Sequence, residues 1–384
     1  MAITIVSDSN NKEVWESKFT KEFVRQSGFL PYMGTGEDSV IRVRTRLMNE
    51  SGSLIHIPMV PKLTGAGVTG STALKGAEEK LSNYSYAIRT SLARNGVVVP
   101  RSESYKSEID LLDAGKSALR DWAAGRLRDK LIAQLQTVVV EASTTADGEP
   151  GEDTNVLWAS ATEAQKDAYL DNNSDRLLFV DGTTGSTPTK QTLATTAPAG
   201  GATNDMSATL VLIAAADKLC AAHIGIARRL AKKSTTTSVA IKPVHVDASA
   251  GREQFILFCD SNMFRDLEAD LQTINLDGRP RDIEKNPLFQ SGDLLVNGVI
   301  VREVPEIPTL GAVGASSAVI GTAFLCGTNA LGVAYSQKPT ARVDIDDYEM
   351  NHGVAIDMID GFGKIAYLGK QAGVVTIFAP SAAD

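Results

Sequence analysis

Between residues 106 and 140 the sequence KSEIDLLDAGKSALRDWAAGRLRDKLIAQLQTVVV sets Leu112, Leu119, Trp122, Ala123, Leu127, Leu131 and Leu135 broadly along one side of a helix. Lys116, Arg120, Arg126, Arg128 and Lys130 populate the other sides. At 1.5 Å per residue, a helix of roughly thirty residues is about 45 Å long, more than a compact domain needs. Gly115 and Gly125 each weaken it by about 1 kcal/mol relative to alanine and mark where it would break. A rod of that length braces something wide, and the rest of the chain has to be arranged around it.

A second signal is short and specific. In NPLFQSGDLLVNGVIVREVPEIP, Leu294, Leu295 and Val296 lead into Asn297-Gly298, and Val299, Ile300 and Val301 lead away. An Asn-Gly pair between two such runs predicts a two-residue hairpin, because both turn residues must take positive φ. No histidine, cysteine or other reactive group sits on it, so its task is geometric.

Around these two anchors the pattern alternates between helix and strand. NNKEVWESKFTKEFVRQSGFLPYM, at residues 10–33, is a charged helix with Val14, Trp15, Phe19, Phe23 and Val24 on one stripe, stopped by Gly28 and Pro31. That stripe needs a surface to lie against, in its own core or in a neighbouring subunit. Ile41, Val43, Thr45 and Leu47 alternate with arginines as a strand does, and SLIHIPMV predicts a second strand with Ile55 and Ile57 facing away from His56. Residues 51–99 read as an extended two-stranded excursion with a glycine-rich tip. Residues 141–207, rich in Gly, Thr, Ser, Ala and Pro, read as an inserted loop region rather than core, with a short helix near 161–170 and the strand RLLFV. DMSATLVLIAAADKLCAAHIGIARRL reads as one helix with Asp205 or Ser207 as N-cap. IKPVHVD and EQFILFCD are strands, SNMFRDLEADLQ a helix capped by Asp260 or Ser261, and the stretch from 323 to 378 is strand-rich.

Composition narrows the chemistry. The 384 residues carry a formal net charge of −8, against the basic stripes that a surface gripping nucleic acid requires. Cys220, Cys259 and Cys326 are odd in number and lack metal-ligand spacing, which predicts buried thiols in a reducing compartment. The N-terminus has no signal-peptide pattern, and no apolar run approaches the ~18 residues of a membrane span. Gly65, Gly67 and Gly70 spell G-x-G-x-x-G in GAGVTG, yet Pro58 and Pro61 break the strand that would have to feed it, so a loop tip is the better reading. His245 and Asp247 share a strand face but lack a third metal ligand. Asp344, Asp346, Asp347 and Glu349 concentrate carboxylates without the glycine of an EF-hand loop and read as a solvated strand face. His56 reads as a strand-face residue and His223 as helix packing; His352 has no recognisable partner in sequence. No catalytic signature is present, and no cofactor or metal is expected.

The order of parts, with several stretches, carries a resemblance. VWESKFTKEFVRQSGFLPYMG, LTGAGVTGSTALKGAEEKLSNYSYAIR, RLLFVDGTTG, the Asn297-Gly298 hairpin segment, FLCGTNALGVAYSQ and DYEMNHGVAIDMIDGFGKIAYLGKQAGVVTIFAP are similar to segments of tailed-bacteriophage major capsid proteins, and among these to the coat proteins of N4-like phages. The resemblance covers most of the chain and is weakest between about 141 and 205. It implies an α+β subunit of the Hong Kong 97-like fold. The implied parts are an N-terminal arm (1–48), an extension loop (49–99), a peripheral domain with spine helix and inserted loop (100–205), an axial domain (206–339) and return strands (340–384).

It also implies a non-enzymatic protein that assembles with itself into hexamers and pentamers of an icosahedral head shell enclosing double-stranded DNA without sequence-specific binding. The shell would form in the host cytoplasm, away from membranes. A separate scaffolding protein, a portal and a decoration protein are the implied partners. Contacts between subunits would then fall on Trp15, Phe19 and Phe23 of the arm and on Gly65, Gly67, Gly70, Glu78 and Glu79 of the extension loop. Lys62, Lys75 and Lys80 lie in that loop, but covalent cross-linking is not expected. The competing readings are an encapsulin-type compartment shell and, from another class, a nucleotide-binding oxidoreductase using GAGVTG.

Overall fold

The computed structural model describes residues 28–50, 52–60, 63, 65, 67–70, 74–76, 78–79, 84–107, 109–142, 153–182, 188–233, 239–247, 252–277 and 294–383. The aromatic stripe Trp15, Phe19 and Phe23 lies outside the described residues. The described chain divides into two compact units, one of residues 92–127 and 337–360, the other of residues 28–91, 128–336 and 361–383.

In the smaller unit, the strand Ser91–Pro100 neighbours Asn351–Lys364, which neighbours Leu331–Asp346. The long helix runs Leu111–Leu135, so at 1.5 Å per residue it is about 38 Å long. It is shorter than residues 106–140 at both ends, for local reasons. Asp110 takes the N-cap, its Oδ1 accepting from the Leu112 and Asp113 amides at 3.0 and 3.1 Å. At the other end the β-branched run Thr137–Val140 leaves the helix and pairs antiparallel with Thr154–Leu157. Neither glycine breaks the helix. Gly115 instead brings it close to the sheet: a Cβ there would meet Val97 Cγ1 at 3.3 Å. Leu119 packs with Val354, Ile356 and Met358, flanked by Val97, Leu112, Trp122 and Ala123. Arg126 closes the same face on buried Asp360 at 2.8 Å.

The larger unit is built on a sheet of eight strands. Its path runs Leu294–Val296, Val299–Glu303, Arg252–Cys259, Ile320–Cys326, Val374–Pro380, Leu177–Asp181 and Thr189–Lys190, with His245–Asp247 paired to Arg252–Cys259. Both faces are covered, and the strands accordingly read as near-continuous apolar runs. Leu178, Val180, Phe255, Leu257 and Ile377 face a core shared with the helix Ala221–Lys232; Leu177, Phe179 and Phe378 face a second core with Tyr169 and Leu170. Phe179 stacks on Phe378 with centroids 4.8 Å apart.

The hairpin forms as its sequence dictates. Val296 pairs with Val299, and Asn297 and Gly298 take φ of 51° and 76°. Asp205 and Asp260 are the N-caps, accepting from Ala208 N at 2.8 Å and Met263 N at 2.9 Å. All three cysteines are buried thiols. His223 is buried packing, bonded through Nε2 to the Asp181 carbonyl at 3.1 Å and through Nδ1 to Cys220 Sγ at 3.1 Å.

Two expectations fail. The single helix from 205 to 230 is two helices, Met206–Val211 and Ala221–Lys232. Asp217 interrupts it by accepting from the Ala214 amide at 2.7 Å and the Gly182 amide at 3.1 Å, giving the backbone an alternative to helical bonds. Part of 141–207 is also core rather than inserted loop, with Tyr169, Leu170, Leu177 and Phe179 buried. Leu177–Asp181 is an interior strand of the sheet, and the helix Glu163–Asn172 pins the following loop with two carboxylates. Asp167 accepts from Ala199 N at 2.8 Å and Met206 N at 2.7 Å; Asp171 accepts from Thr203 N at 2.6 Å and Asn204 N at 3.1 Å.

Lys364 is wholly buried. Its Nζ donates to the carbonyls of Leu135, at 3.2 Å, and Thr137, and sits 5.4 Å from the centroid of the Tyr169 ring. It therefore satisfies the Leu135 carbonyl that the end of the long helix leaves open, and the Thr137 carbonyl at the start of the strand that follows. Burial pushes its pKa down to about 7. In the unfolded chain the amine titrates near 10.4, so between the two values the unfolded state binds more protons and stability rises with pH. The slope from this group is at most about 1.4 kcal/mol per pH unit. Denaturant melts from pH 7 to 10 are expected to show that rise in the native chain and a flatter profile in Lys364→Met.

Candidate assembly surface

The strands Leu54–Met59 and Tyr84–Arg89 pair antiparallel in register from Leu54↔Arg89 to Met59↔Tyr84 and form a two-stranded ribbon. The ribbon closes at Arg89, shorter than the 51–99 excursion, because Ser91–Pro100 pairs in another sheet. Two strands alone bury too little to stand in water, so the ribbon must be anchored. Its inner face supplies the anchor: Ile57, Tyr86 and Ile88 pack with Ala334 and Ile365. His56 lies on the opposite, exposed face, as the alternation predicts.

Three glycines make this seat. A Cβ on Gly332 would lie 2.4 Å from Ile88 Cδ1, one on Gly361 2.3 Å from the Arg89 carbonyl oxygen, and one on Gly363 2.6 Å from the Tyr86 hydroxyl. At Gly361 the near atom is backbone and only glycine allows the approach; at Gly332 and Gly363 a larger residue would have to displace the Ile88 or Tyr86 side chain. Polar bonds then fix the register. Asn155 Nδ2 donates to the Tyr86 hydroxyl at 2.6 Å and to the Lys364 carbonyl at 3.0 Å, and the Tyr367 hydroxyl donates to the Ile57 carbonyl at 3.2 Å. Burial pushes the Tyr86 phenol well above its ordinary value, so it stays protonated at neutral pH.

The five loop residues expected at subunit contacts all lie beyond this seat. Glu79 Oε2 accepts from the Gly65 amide at 2.7 Å, joining two of them; Glu78 Oε2 accepts from the Gly76 amide at 2.6 Å. A Cβ on Gly65 would fall 2.7 Å from that Glu79 oxygen, while Gly67 and Gly70 adopt φ of 71° and 72°. Among the described residues of this loop there is no helix, so the G-x-G-x-x-G lacks the strand-turn-helix setting that a dinucleotide requires. Its apolar members Val60, Leu63 and Leu74 are exposed. Among the described residues no group of three or more His, Cys, Asp or Glu could hold a metal ion. The glycine sockets and Asn155 were not singled out by sequence reasoning; Gly361 and Gly363, spaced by two in DGFGK, are the one trace they leave.

A ribbon anchored at its root that ends in an exposed apolar loop is a feature made for contact rather than for chemistry. The profile of the phage capsid protein family matches residues 3–379. The capsid subunit of cyanophage Pam1 is 35% identical over the whole of both chains, with a TM-score of 0.84. The major capsid protein of Pseudomonas phage KPP25 is 27% identical over 369 residues, 93% of this chain and 89% of that protein. The capsid of Ralstonia phage GP4, 18% identical over 100% and 99% of the two chains, shares the fold with a TM-score of 0.67.

The chain belongs to the phage capsid protein family, with the Hong Kong 97-like fold. It is a major capsid protein, a structural component of a phage head shell built from many copies of itself.

Gly361→Ala places a methyl group against the Arg89 backbone and is expected to cost about 1–3 kcal/mol. Hydrogen exchange at residues 84–89 is expected to accelerate more than exchange in the eight-stranded sheet.

Proposed function

We propose that the subunit assembles into hexamers and pentamers that close an icosahedral head around double-stranded DNA, with the ribbon reaching onto a neighbouring copy. One observation carries this reading: the ribbon is held firmly at its root, while Val60, Leu63 and Leu74 beyond it are exposed. Such residues gain their burial when another copy covers them, and a shell closed by symmetry sums many modest contacts of this kind. The aromatic stripe of Trp15, Phe19 and Phe23 offers a second reach of the same kind. Gly65, Gly67, Gly70, Glu78 and Glu79 then shape the loop for its neighbour. The expected boundaries of 100–205 and 206–339 cut through the eight-stranded sheet; the unit of residues 92–127 and 337–360 takes the place of the peripheral domain, and the sheet that carries the Asn297-Gly298 hairpin that of the axial domain. A scaffolding protein, a portal and a decoration protein complete the particle, which assembles in the host cytoplasm.

Size-exclusion chromatography with light scattering, followed by negative-stain microscopy of every fraction, tests the reading. Shells, or rings of five and six subunits, are expected. A uniform monomer or dimer that persists when a scaffolding partner is co-expressed would refute it. Leu63→Ser with Leu74→Ser is expected to lower shell yield without lowering the melting temperature of the free subunit.

A further inference from the structure

In the smaller unit, the turn between the strands Leu331–Asp346 and Asn351–Lys364 projects from the sheet. All thirteen residues from 338 to 350 are exposed. That run contains Val343 at 63%, Ile345 at 53% and Tyr348 at 100% exposure. Valine and isoleucine on one strand face, with a tyrosine beyond them, form a small apolar patch of the sort that marks an interaction site. The turn is also unusual in its backbone. Asp347, Tyr348 and Glu349 take φ of 52°, 52° and 69° in succession, a left-handed run that L-residues with side chains seldom adopt. Strain of this kind clusters where a contact makes use of the shape.

The charges on the hairpin are separated along its length. Asp344, Asp346, Asp347 and Glu349 crowd the tip; Arg101, whose amide donates to the Met350 carbonyl at 2.7 Å, interacts electrostatically with Glu349 and leaves the three aspartates in surplus. Toward the base lie Arg94, Lys338 and Arg342; the two carboxylates of that end are already engaged, Asp357 by Arg342 Nε at 2.9 Å and Asp360 by Arg126 at 2.8 Å. The tip therefore carries a surplus of negative charge and the base a surplus of positive charge. With Arg342 engaged by Asp357, Lys338 and the tip carboxylates remain, separated along one strand so that their side chains do not meet within a copy. A second copy brings them together by laying its acidic tip over this base while the apolar residues between them are buried.

We propose that residues 338–350 form a head-to-tail contact between copies, in which the acidic tip of one subunit docks on the cationic base of the next. A heterologous contact of this kind propagates around a ring when the rotation closes. The proposal rests on the shell-subunit reading above and adds to it a specific surface and a polarity.

Charge reversal tests it. Asp344→Lys with Asp346→Lys reverses the tip, Arg94→Glu with Lys338→Glu reverses the base, and the fourfold variant reverses both. Each double variant is expected to lose at least tenfold in shell yield, and the fourfold variant to recover most of it. Thermal melts of the free subunits serve as the folding control. Tyr348→Ser, at a fully exposed position, is expected to lower yield with no change in melting. Double variants that fill shells at the wild-type yield would overturn the contact, as would a folded fourfold variant that stays unassembled. Wild-type shells formed in the same preparation separate that failure from failure of the shell reading itself.

Discussion

Lys364 and Asn155 tie together elements that would otherwise meet only through apolar contact. The lysine ammonium reaches the Leu135 carbonyl that ends the long helix and the Thr137 carbonyl of the strand that follows, while its own backbone carbonyl accepts from Asn155. Asn155 in turn holds the Tyr86 hydroxyl on the ribbon. Helix end, sheet strand and ribbon root are thus connected through one run of buried and half-buried hydrogen bonds, each costly to leave unmade. Tyr169 closes the node from the helix Glu163–Asn172, its ring over the lysine and its hydroxyl on Gln371 at 2.9 Å. A buried lysine is a poor way to gain stability, since burial penalises its charge. Its merit is specificity, because only one arrangement of these elements satisfies it.

The division between rigid root and exposed reach follows from that node. The seat of Gly332, Gly361 and Gly363 lets the ribbon lie directly on backbone, so its inner residues are buried as deeply as those of the main sheet. Beyond Met59 and Tyr84 there is no comparable support, and the described loop residues bond chiefly to each other. A shell subunit benefits from that asymmetry. The root fixes the direction of the reach, and the partner surface supplies the remaining burial.

Much of this was legible in the sequence where a local rule was strong. Asn297-Gly298 specified its turn because few other conformations suit two positive-φ positions. The long helix was legible because leucines recurring over seven turns leave little room for another period. Legibility failed where tertiary partners decide. Nothing local in TLVLIAAADKL shows that Asp217 will cap a turn against Gly182, thirty-five residues earlier. RLLFV was recognised as a strand, yet the polar residues around it disguised a central position whose neighbour, Val374–Pro380, lies almost two hundred residues away. Glycine sockets and a buried lysine are equally silent, since their meaning lies in what they face.

The strand order also sets a schedule. Val374–Pro380 lies between Ile320–Cys326 and Leu177–Asp181, so an interior place in the eight-stranded sheet is filled by a strand almost two hundred residues beyond one of its neighbours. Until it pairs, neither of the two cores can close, because both count side chains of that strand among their members. Pairings between residues so distant in sequence form late, after the loop-closure entropy has been met. A subunit in which that strand is unpaired consequently lacks both finished cores, so the two faces of the sheet become solid together.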